Sequence, residues 1–262
     1  MPSASSVQVA QFGIENKFVQ GEPSMTFFKS VVKKHTNFAT ETMAVNFDNP
    51  PEMGSTNTIT IPRNGDLVRR VHLKVYYPEV QPASLTQARW CSGVAQALVE
   101  YAELVIGGEV VQKIQDIEAF TQSEYRTPDG HYPALQALEN RYPVNQLTDV
   151  GDYLAPSGTF YTQLFFYFHW HPSLALPLVA LKHQEIQIRL KFRNVNELVQ
   201  TTDDTDIATS ISGPDTQTLM KFTPCVEYIF LDDAERNRYM SGKQYDYIIE
   251  QNQHVDLGPK DI

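Results

Sequence analysis

The clearest pattern of apolar and polar positions lies between residues 165 and 192. From Ile186 to Phe192, apolar and polar residues alternate one by one. In a strand, this alternation places the apolar side chains on one face and the polar ones on the other. The preceding run, Leu164 to Trp170, is almost continuously aromatic, and we expect a strand covered on both faces. Pro172 and Pro177 would interrupt a helix, so this stretch predicts the middle of a β core.

Similar signals recur along the chain. Alternation or β-prone composition predicts strands over 25–32, 42–47, 56–61, 67–77, 97–106, 109–114, 160–169, 186–192 and 221–231. The pair Asn64 and Gly65 is a strong turn signal, so we expect 56–61 and 67–77 to form a hairpin. Gly107 and Gly108 predict the turn of a second hairpin, between 97–106 and 109–114.

Helical character is confined to a few segments. Residues 116–125 and 133–142 lack strand periodicity and contain good helix formers. Asp232 supplies N-cap chemistry for a short helix. Residues 144–158 and the acidic, threonine-rich stretch 194–217 are expected to be loops.

These elements divide the chain into three parts. Residues 1–24 are polar, small and weakly patterned, which indicates an N-terminal arm. Residues 25–231 contain the short strands and predict an all-β domain, an eight-stranded antiparallel jelly-roll sandwich with short helices in its loops. Residues 232–262 comprise the short helix and a strand that begins near Gln244. That strand has nothing after it to pair with, which suggests that it opens a further domain or docks on a partner.

Composition agrees with this fold and narrows the function. The 262 residues are 42% hydrophobic and 11% aromatic, which suits a strand-rich core. The formal net charge of −10 disfavours direct nucleic-acid binding, since proteins that grip phosphate backbones present basic faces. The one candidate basic patch comprises Lys29, Lys33, Lys34 and His35. We favour a solvated strand edge or turn there.

The cysteines and the hydropathy pattern indicate a cytosolic protein. Cys91 and Cys225 lie in unlike contexts and form neither a disulfide framework nor a zinc motif, which favours buried thiols in a reducing compartment. We see no secretory signal. No stretch of about 20 apolar residues occurs, which argues against a membrane span.

His169 and His171, with His183 nearby, form the one metal-like cluster. On a strand, residues two apart point the same way, so two imidazoles would share a metal. A cupin, a jelly-roll enzyme with a His-x-His metal site, is one interpretation. That motif also requires a glutamate three or four residues later, where this chain has Ala175 and Leu176, and a glycine framework that is missing. We therefore favour histidines at the rim of the core, with the cupin as an alternative.

Other candidate chemistry is weaker. No nucleophile elbow, zinc-protease helix or phosphate-binding glycine loop is present. Asp203, Asp204 and Asp206 lack the spacing of a calcium loop. Strand aromatics would also suit a jelly-roll carbohydrate-binding module, although core packing explains them as well. We predict no catalytic residue, no cofactor and no metal ligand.

Five blocks, in order along the chain, resemble the major capsid proteins of large nucleocytoplasmic double-stranded DNA viruses. They are Phe27–Phe38, Ile61–Leu67, Glu103–Gly108, Leu174–Ile186, and Asp232–Arg236 together with Tyr247–Gln251. The resemblance implies a double jelly roll, of which this chain holds the first roll and the start of the second. The chain is accordingly expected to be part of a longer protein.

The resemblance also implies a structural function. Three copies would form a pseudo-hexagonal capsomer, and capsomers would tile an icosahedral shell. Loops 115–158 and 194–217 would face outward, and the arm 1–24 would reach minor capsid proteins beneath the shell. The protein would be synthesised and assembled in the host cytoplasm and would reside in the virion capsid.

Overall fold

The computed structural model describes residues 28, 34–79, 88–141, 157–201, 220–241, 246–247 and 249–252. The chain divides into two units, 1–36 and 37–262, and the fold below is that of the second. Its strands are β1 (Phe38–Ala44), β2 (Thr56–Thr60), β3 (Leu67–Tyr77), β4 (Ala88–Trp90), β5 (Val99–Ile106), β6 (Glu109–Gln115), β7 (Gly158–Leu164), β8 (Leu176–Pro177), β9 (Ile186–Phe192), β10 (Val199–Thr201) and β11 (Lys221–Leu231). Its α-helices are α1 (Val94–Ala97), α2 (Asp116–Arg126), α3 (Tyr132–Glu139), α4 (Tyr167–Trp170) and α5 (Asp233–Met240). Short 3-10 turns span Asp129–His131, Pro172–Leu174 and Val195–Glu197.

Two antiparallel sheets form the framework. One has the strand order β1-β11-β3-β7, with β8 beside β3, and the other has the order β2-β9-β5-β6. β4 and β10 form a separate small pair. Along the chain, the main strands alternate between the two sheets, except where β5 and β6 form a hairpin. This winding is that of a jelly roll, so the predicted antiparallel jelly-roll class is confirmed, whereas the predicted count of eight strands is not.

The core lies between the two sheets. β9 alternates between buried and half-buried residues over its whole length, as the period-two pattern predicted. Phe192 of β9 stacks on Phe222 of β11 with ring centroids 5.1 Å apart, which joins the two layers. Burying a large apolar side chain contributes about 2 kcal/mol. The largest contributions from β3, β9 and β11 come from Val71, Leu73, Val75, Ile186, Ile188, Leu190, Phe192, Val226 and Tyr228.

The predicted hairpin of 56–61 with 67–77 is wrong. β2 pairs with β9, whereas β3 pairs with β11 and β7, so residues 61–66 cross from one sheet to the other. The Ile61 amide bonds to the Ile186 carbonyl in one sheet, and the Asp66 amide bonds to the Ile229 carbonyl in the other. Gly65 is required by close packing, because a Cβ there would lie 2.8 Å from the Cβ of Tyr228.

The aromatic run after β7 does not continue the strand. β7 ends at Leu164, where its pairing with Val71 ends, and Tyr167–Trp170 form one helical turn. The Tyr167 amide bonds to the Gln112 side chain at 2.8 Å instead of to a neighbouring strand. A helical turn at the end of the core thus buries Phe166, Tyr167 and Phe168 as completely as a covered strand would.

Three further predictions need adjustment. The strand expected to start at residue 97 starts at Val99, because Val94–Ala97 are helical. The strand expected over 42–47 spans Phe38–Ala44 instead. Of the strand predicted over 25–32, only residue 28 is described.

The predicted helices are present, but the expected last strand is not seen. α2 and α3 confirm the helices predicted after β6, and α5 confirms the one after Asp232. The described residues of segment 244–251 are not in a strand. Side chains hold this segment, since Gln251 donates to the Val111 carbonyl and Ile249 packs on the core.

Candidate functional site

The crossing loop at 61–66 gathers several segments of the fold. The Arg63 guanidinium donates to the carbonyls of Leu178 and Gln184, each at 2.7 Å, and to that of Leu181. Three carbonyls of the bend before β9 thus converge on one side chain. The Tyr228 hydroxyl of β11 donates to the Pro62 carbonyl at 2.8 Å. The loop is therefore fixed to both sheets.

Asp66, at the end of this loop, holds the C-terminal helix. Its carboxylate accepts hydrogen bonds from Nε of Arg236 at 2.9 Å and from the Leu231 amide at 2.8 Å. Burial alone would raise the pKa of Asp66, but the hydrogen bonds from Arg236 and Leu231 and the charge of Arg236 together lower it. The carboxylate is thus charged at neutral pH, and it fixes the start of α5 against the sheet.

Several of the segments that resemble viral major capsid proteins meet at this loop. Arg63 and Asp66 belong to the block 61–67, and their partners belong to, or directly precede, the blocks 174–186 and 232–236. Three of the five blocks therefore meet at one place. Its polar contacts are made within the chain, so the junction sets the geometry of the fold and of the helix that leaves it.

The structure does not assemble the metal site considered from the sequence. His169 lies in α4, which ends at Trp170, and His171 follows in an extended conformation, so the two residues do not lie on one face of a strand as the metal site requires. Nδ1 of His171 lies 2.6 Å from the Ser173 hydroxyl and also accepts from the Ser173 amide. His183 lies on a separate turn beside Arg63. Within the described ranges, no group of three or more histidine, cysteine or acidic side chains is placed to hold a metal.

The surroundings of His169 also disfavour a metal cation. Burial, together with the charges of Arg70, Arg69 and Arg126, lowers the pKa of His169 to about 4. The ring packs edge-on against Phe165 and Trp170, at centroid distances of 5.1 and 5.0 Å. His169 is thus a neutral, half-buried residue at the rim of the core.

Beside β7, a cleft of about 400 Å³ separates α2 and α3 from α4. Its wall carries the cationic or titratable side chains of Arg70, Arg126, His131 and His169, and no carboxylate is among the described residues that line it. The Arg126 guanidinium lies 3.7 Å from the centre of the Trp170 ring. Trp170 in turn stacks on Phe165 at 5.2 Å. The cleft is both cationic and aromatic.

A buried arginine attaches the helical insert to the roll. Arg141, which follows α3, donates to Glu139 at 2.6 Å, to Gln96 of α1 at 2.8 Å and to Ser123 of α2 at 3.1 Å. It also bonds to Glu124. This cluster could not be predicted from sequence patterns, because its members lie up to 45 residues apart. The insert that forms one wall of the cleft is thus firmly placed.

The remaining candidates have simple structural roles. Gly107 and Gly108 have φ angles of 61° and 92° and form the predicted turn between β5 and β6. Both cysteines are free, and burial raises the pKa of Cys91 to about 11, which keeps the thiol protonated.

Parts of the other candidate sites cannot be placed. In the basic patch, Lys34 and His35 are exposed, whereas Lys29 and Lys33 lie outside the described residues. The acidic run 203–206 also lies outside them. Among the helices of the described ranges, none has the length and apolarity that a membrane crossing requires.

Comparison with known proteins identifies the fold. Residues 26–232 match the family model described as the major capsid protein N-terminus. The major capsid protein of Phaeocystis pouchetii virus is 32% identical, over 94% of this chain and 52% of that protein. Capsid protein 1 of Acanthamoeba polyphaga mimivirus is also 32% identical, over 94% of this chain and 43% of that protein. The chain spans about half the length of the curated relatives it matches.

Superposition on solved structures supports the same fold. PBCV-1 VP54 superposes with a TM-score of 0.65 and 26% identity, over 82% of this chain and 48% of that protein. The Faustovirus major capsid protein superposes with a TM-score of 0.66 over 90% of this chain and 62% of that protein. Its identity of 10% makes this a likeness of fold alone. The match over 26–232 covers most of the jelly roll and the loop junction described above, and the chain therefore belongs to the family of major capsid protein N-terminal domains.

Proposed function

We propose that this chain is the N-terminal part of a structural capsid protein, three copies of which form a pseudo-hexagonal capsomer that tiles an icosahedral shell. The family match over residues 26–232 is the observation that carries this proposal. The relatives are named as capsid proteins and cover the same jelly roll. A rigid sandwich with extended loops suits repeated side-by-side association.

The proposed organisation has three parts. Residues 1–24 form an arm that reaches minor capsid proteins, residues 25–231 form the first roll, and residues 232–262 lead into a second roll. The contact between Asp66 and Arg236 supports the last part, because it fixes the direction in which α5 leaves the first roll. The protein would be made and assembled in the host cytoplasm and would end in the virion capsid.

Two alternatives have less support. A cupin-like enzyme needs convergent metal ligands, whereas His171 engages Ser173 and His169 lies among arginines. A carbohydrate-binding module needs an exposed aromatic platform beside hydrogen-bonding groups. Trp170, on the wall of the cleft, is covered by Arg126 and Phe165. We therefore propose no catalytic activity and no cofactor.

The native, full-length gene product provides the test. Size-exclusion chromatography with light scattering should give the mass of three copies, and electron microscopy should show particles of pseudo-hexagonal outline. A monomer at all accessible concentrations would contradict the proposal. So would stoichiometric bound metal that is lost in the His169→Ala and His171→Ala variants.

A further inference from the structure

The charge of the cleft beside β7 is opposite to that of the whole chain. The formal net charge of the protein is −10, yet the cleft wall carries the guanidinium groups of Arg70 and Arg126 and no carboxylate among its described lining residues. Because the cleft is partly enclosed, its cationic groups act on one another more strongly than they would in water. A ligand with negative charge would relieve this repulsion.

Hydrogen-bonding groups around the cleft are also unsatisfied. Nδ1 of His169 and Nε of Arg69 are buried without a hydrogen-bond partner in the described structure. Glu227 is the carboxylate nearest to Arg69 and Arg70, and it lies 3.8 Å from each. One carboxylate thus serves two guanidinium groups at long distance. At Arg69 and Arg70, β3 therefore carries more positive charge than Glu227 neutralises.

Apolar side chains accompany this charge. Leu138, on the wall of the cleft, is 45% exposed, and Ala134 and Leu135 line the same wall. Arg126 and Trp170 add a stacked cationic and aromatic pair. Arginine and aromatic residues are enriched in the cores of protein interfaces, where they bring large contact areas. The combination favours a protein segment over a small ion.

We propose that the cleft binds an acidic segment of a second copy of this chain. This inference rests on the proposed function, in which copies associate side by side in one capsomer. Charge complementarity supports a second copy as the occupant, because the chain has 31 acidic and 21 basic residues. The sequence contains a suitable segment, since residues 202–219 include four acidic residues and no basic one. Arg70 and Arg126 would contact its carboxylates, and Leu138 would contact its apolar atoms.

Photo-crosslinking identifies the occupant. A photo-activatable amino acid would replace Leu138 in the full-length protein, and the same amino acid at Lys182, an exposed position that does not line the cleft, is the control. Irradiation at position 138 should join two copies of the chain, with the adduct mapped to an acidic peptide. Adducts at 138 to a different protein, or none above the Lys182 control, would overturn the proposal.

Charge reversal measures the contribution of the cleft. In the full-length protein, Arg70→Glu with Arg126→Glu should raise the trimer dissociation constant at least tenfold, and added salt should weaken the wild-type trimer. Lys182→Glu makes the same charge change per residue and should leave the constant within about twofold. If the double variant fails to fold, Arg70→Gln with Arg126→Gln replaces it, with an expected rise of at least threefold.

The outcomes separate this inference from the proposed function. A wild-type trimer whose stability is unchanged by the cleft variants would overturn the inference and leave the capsid function standing. A wild-type protein that never trimerises would overturn the proposed function itself. A loss of trimers in the cleft variants, with circular dichroism and thermal unfolding unchanged, would support the inference.

Discussion

Two regions of this jelly roll are rich in arginine, and they differ in how far other groups of the chain bind the arginine side chains. In the crossing loop, Arg63 donates to three carbonyls and Asp66 binds Arg236 through two hydrogen bonds. In the cleft beside β7, Arg126 covers an aromatic ring, and Arg70 lies 3.8 Å from a carboxylate that it shares with Arg69. The loop satisfies its arginine hydrogen bonds within the chain, whereas the cleft leaves its arginines with few hydrogen-bond acceptors.

This difference separates a structural joint from a binding surface. Breaking a buried, hydrogen-bonded pair leaves a polar group without a partner, which is strongly destabilising. Removing Arg70 from the cleft relieves repulsion between like charges, and Glu227 keeps its contact with Arg69. The same type of residue should therefore affect folding in one region and association in the other. The geometry of its partners decides between the two.

Removal of Asp66 should have the largest effect on stability. Asp66→Ala leaves Arg236 and the Leu231 amide without their acceptor, and we expect a loss of about 3 kcal/mol in the free energy of unfolding. Denaturant unfolding followed by circular dichroism provides the measurement. Asp233→Ala is the matched control, because Asp233 also contacts Arg236 but its side chain is 88% exposed. That control should lose less than about 0.5 kcal/mol, and equal losses in the two variants would contradict the role of Asp66.

A second pair of variants compares the two regions directly. Arg63→Met removes three hydrogen bonds to carbonyls and should cost about 2 kcal/mol. Arg70→Met makes the same chemical change in the cleft and should alter the stability by less than about 0.5 kcal/mol, because its one ion pair is long and half-exposed. Thermal unfolding of both variants under one condition tests this. A larger loss for Arg70→Met would mean that the cleft, too, is a structural joint.

The regular strands could be predicted from the sequence because their pattern is local. β3, β9 and β11 have the bounds that the alternation indicates. The hairpin prediction failed because Asn64 and Gly65 signal a change of direction but do not determine which strands pair. The long-range contacts of Asp66 and Gly65 with β11 direct the chain into the opposite sheet.

The cleft could not be predicted, because its groups are distant in sequence. Arg70 comes from β3, Arg126 and His131 from the helical insert, and His169 from α4. The fold brings them together only after the aromatic run turns into a helix at Tyr167. The spacing of His169 and His171 suggests a metal site in the sequence, but the arginines near His169 disfavour a cation there. A short sequence motif cannot report the charges that later surround it.

The pH dependence of stability should show that folding lowers the pKa of His169. Burial and the neighbouring arginines lower the pKa of His169 to about 4 from 6.5, so between these values the unfolded chain binds a proton that the folded protein does not. The stabilisation is therefore complete above pH 6.5 and is lost as the pH falls towards 4. Relative to His169→Gln, the wild type should lose about 1.5 kcal/mol over this range, less than the full shift implies because the side chain is partly solvated. Urea unfolding at pH 7.0, 5.5 and 4.5 measures the difference between the two proteins, and a constant difference would show that folding does not lower the pKa of this imidazole.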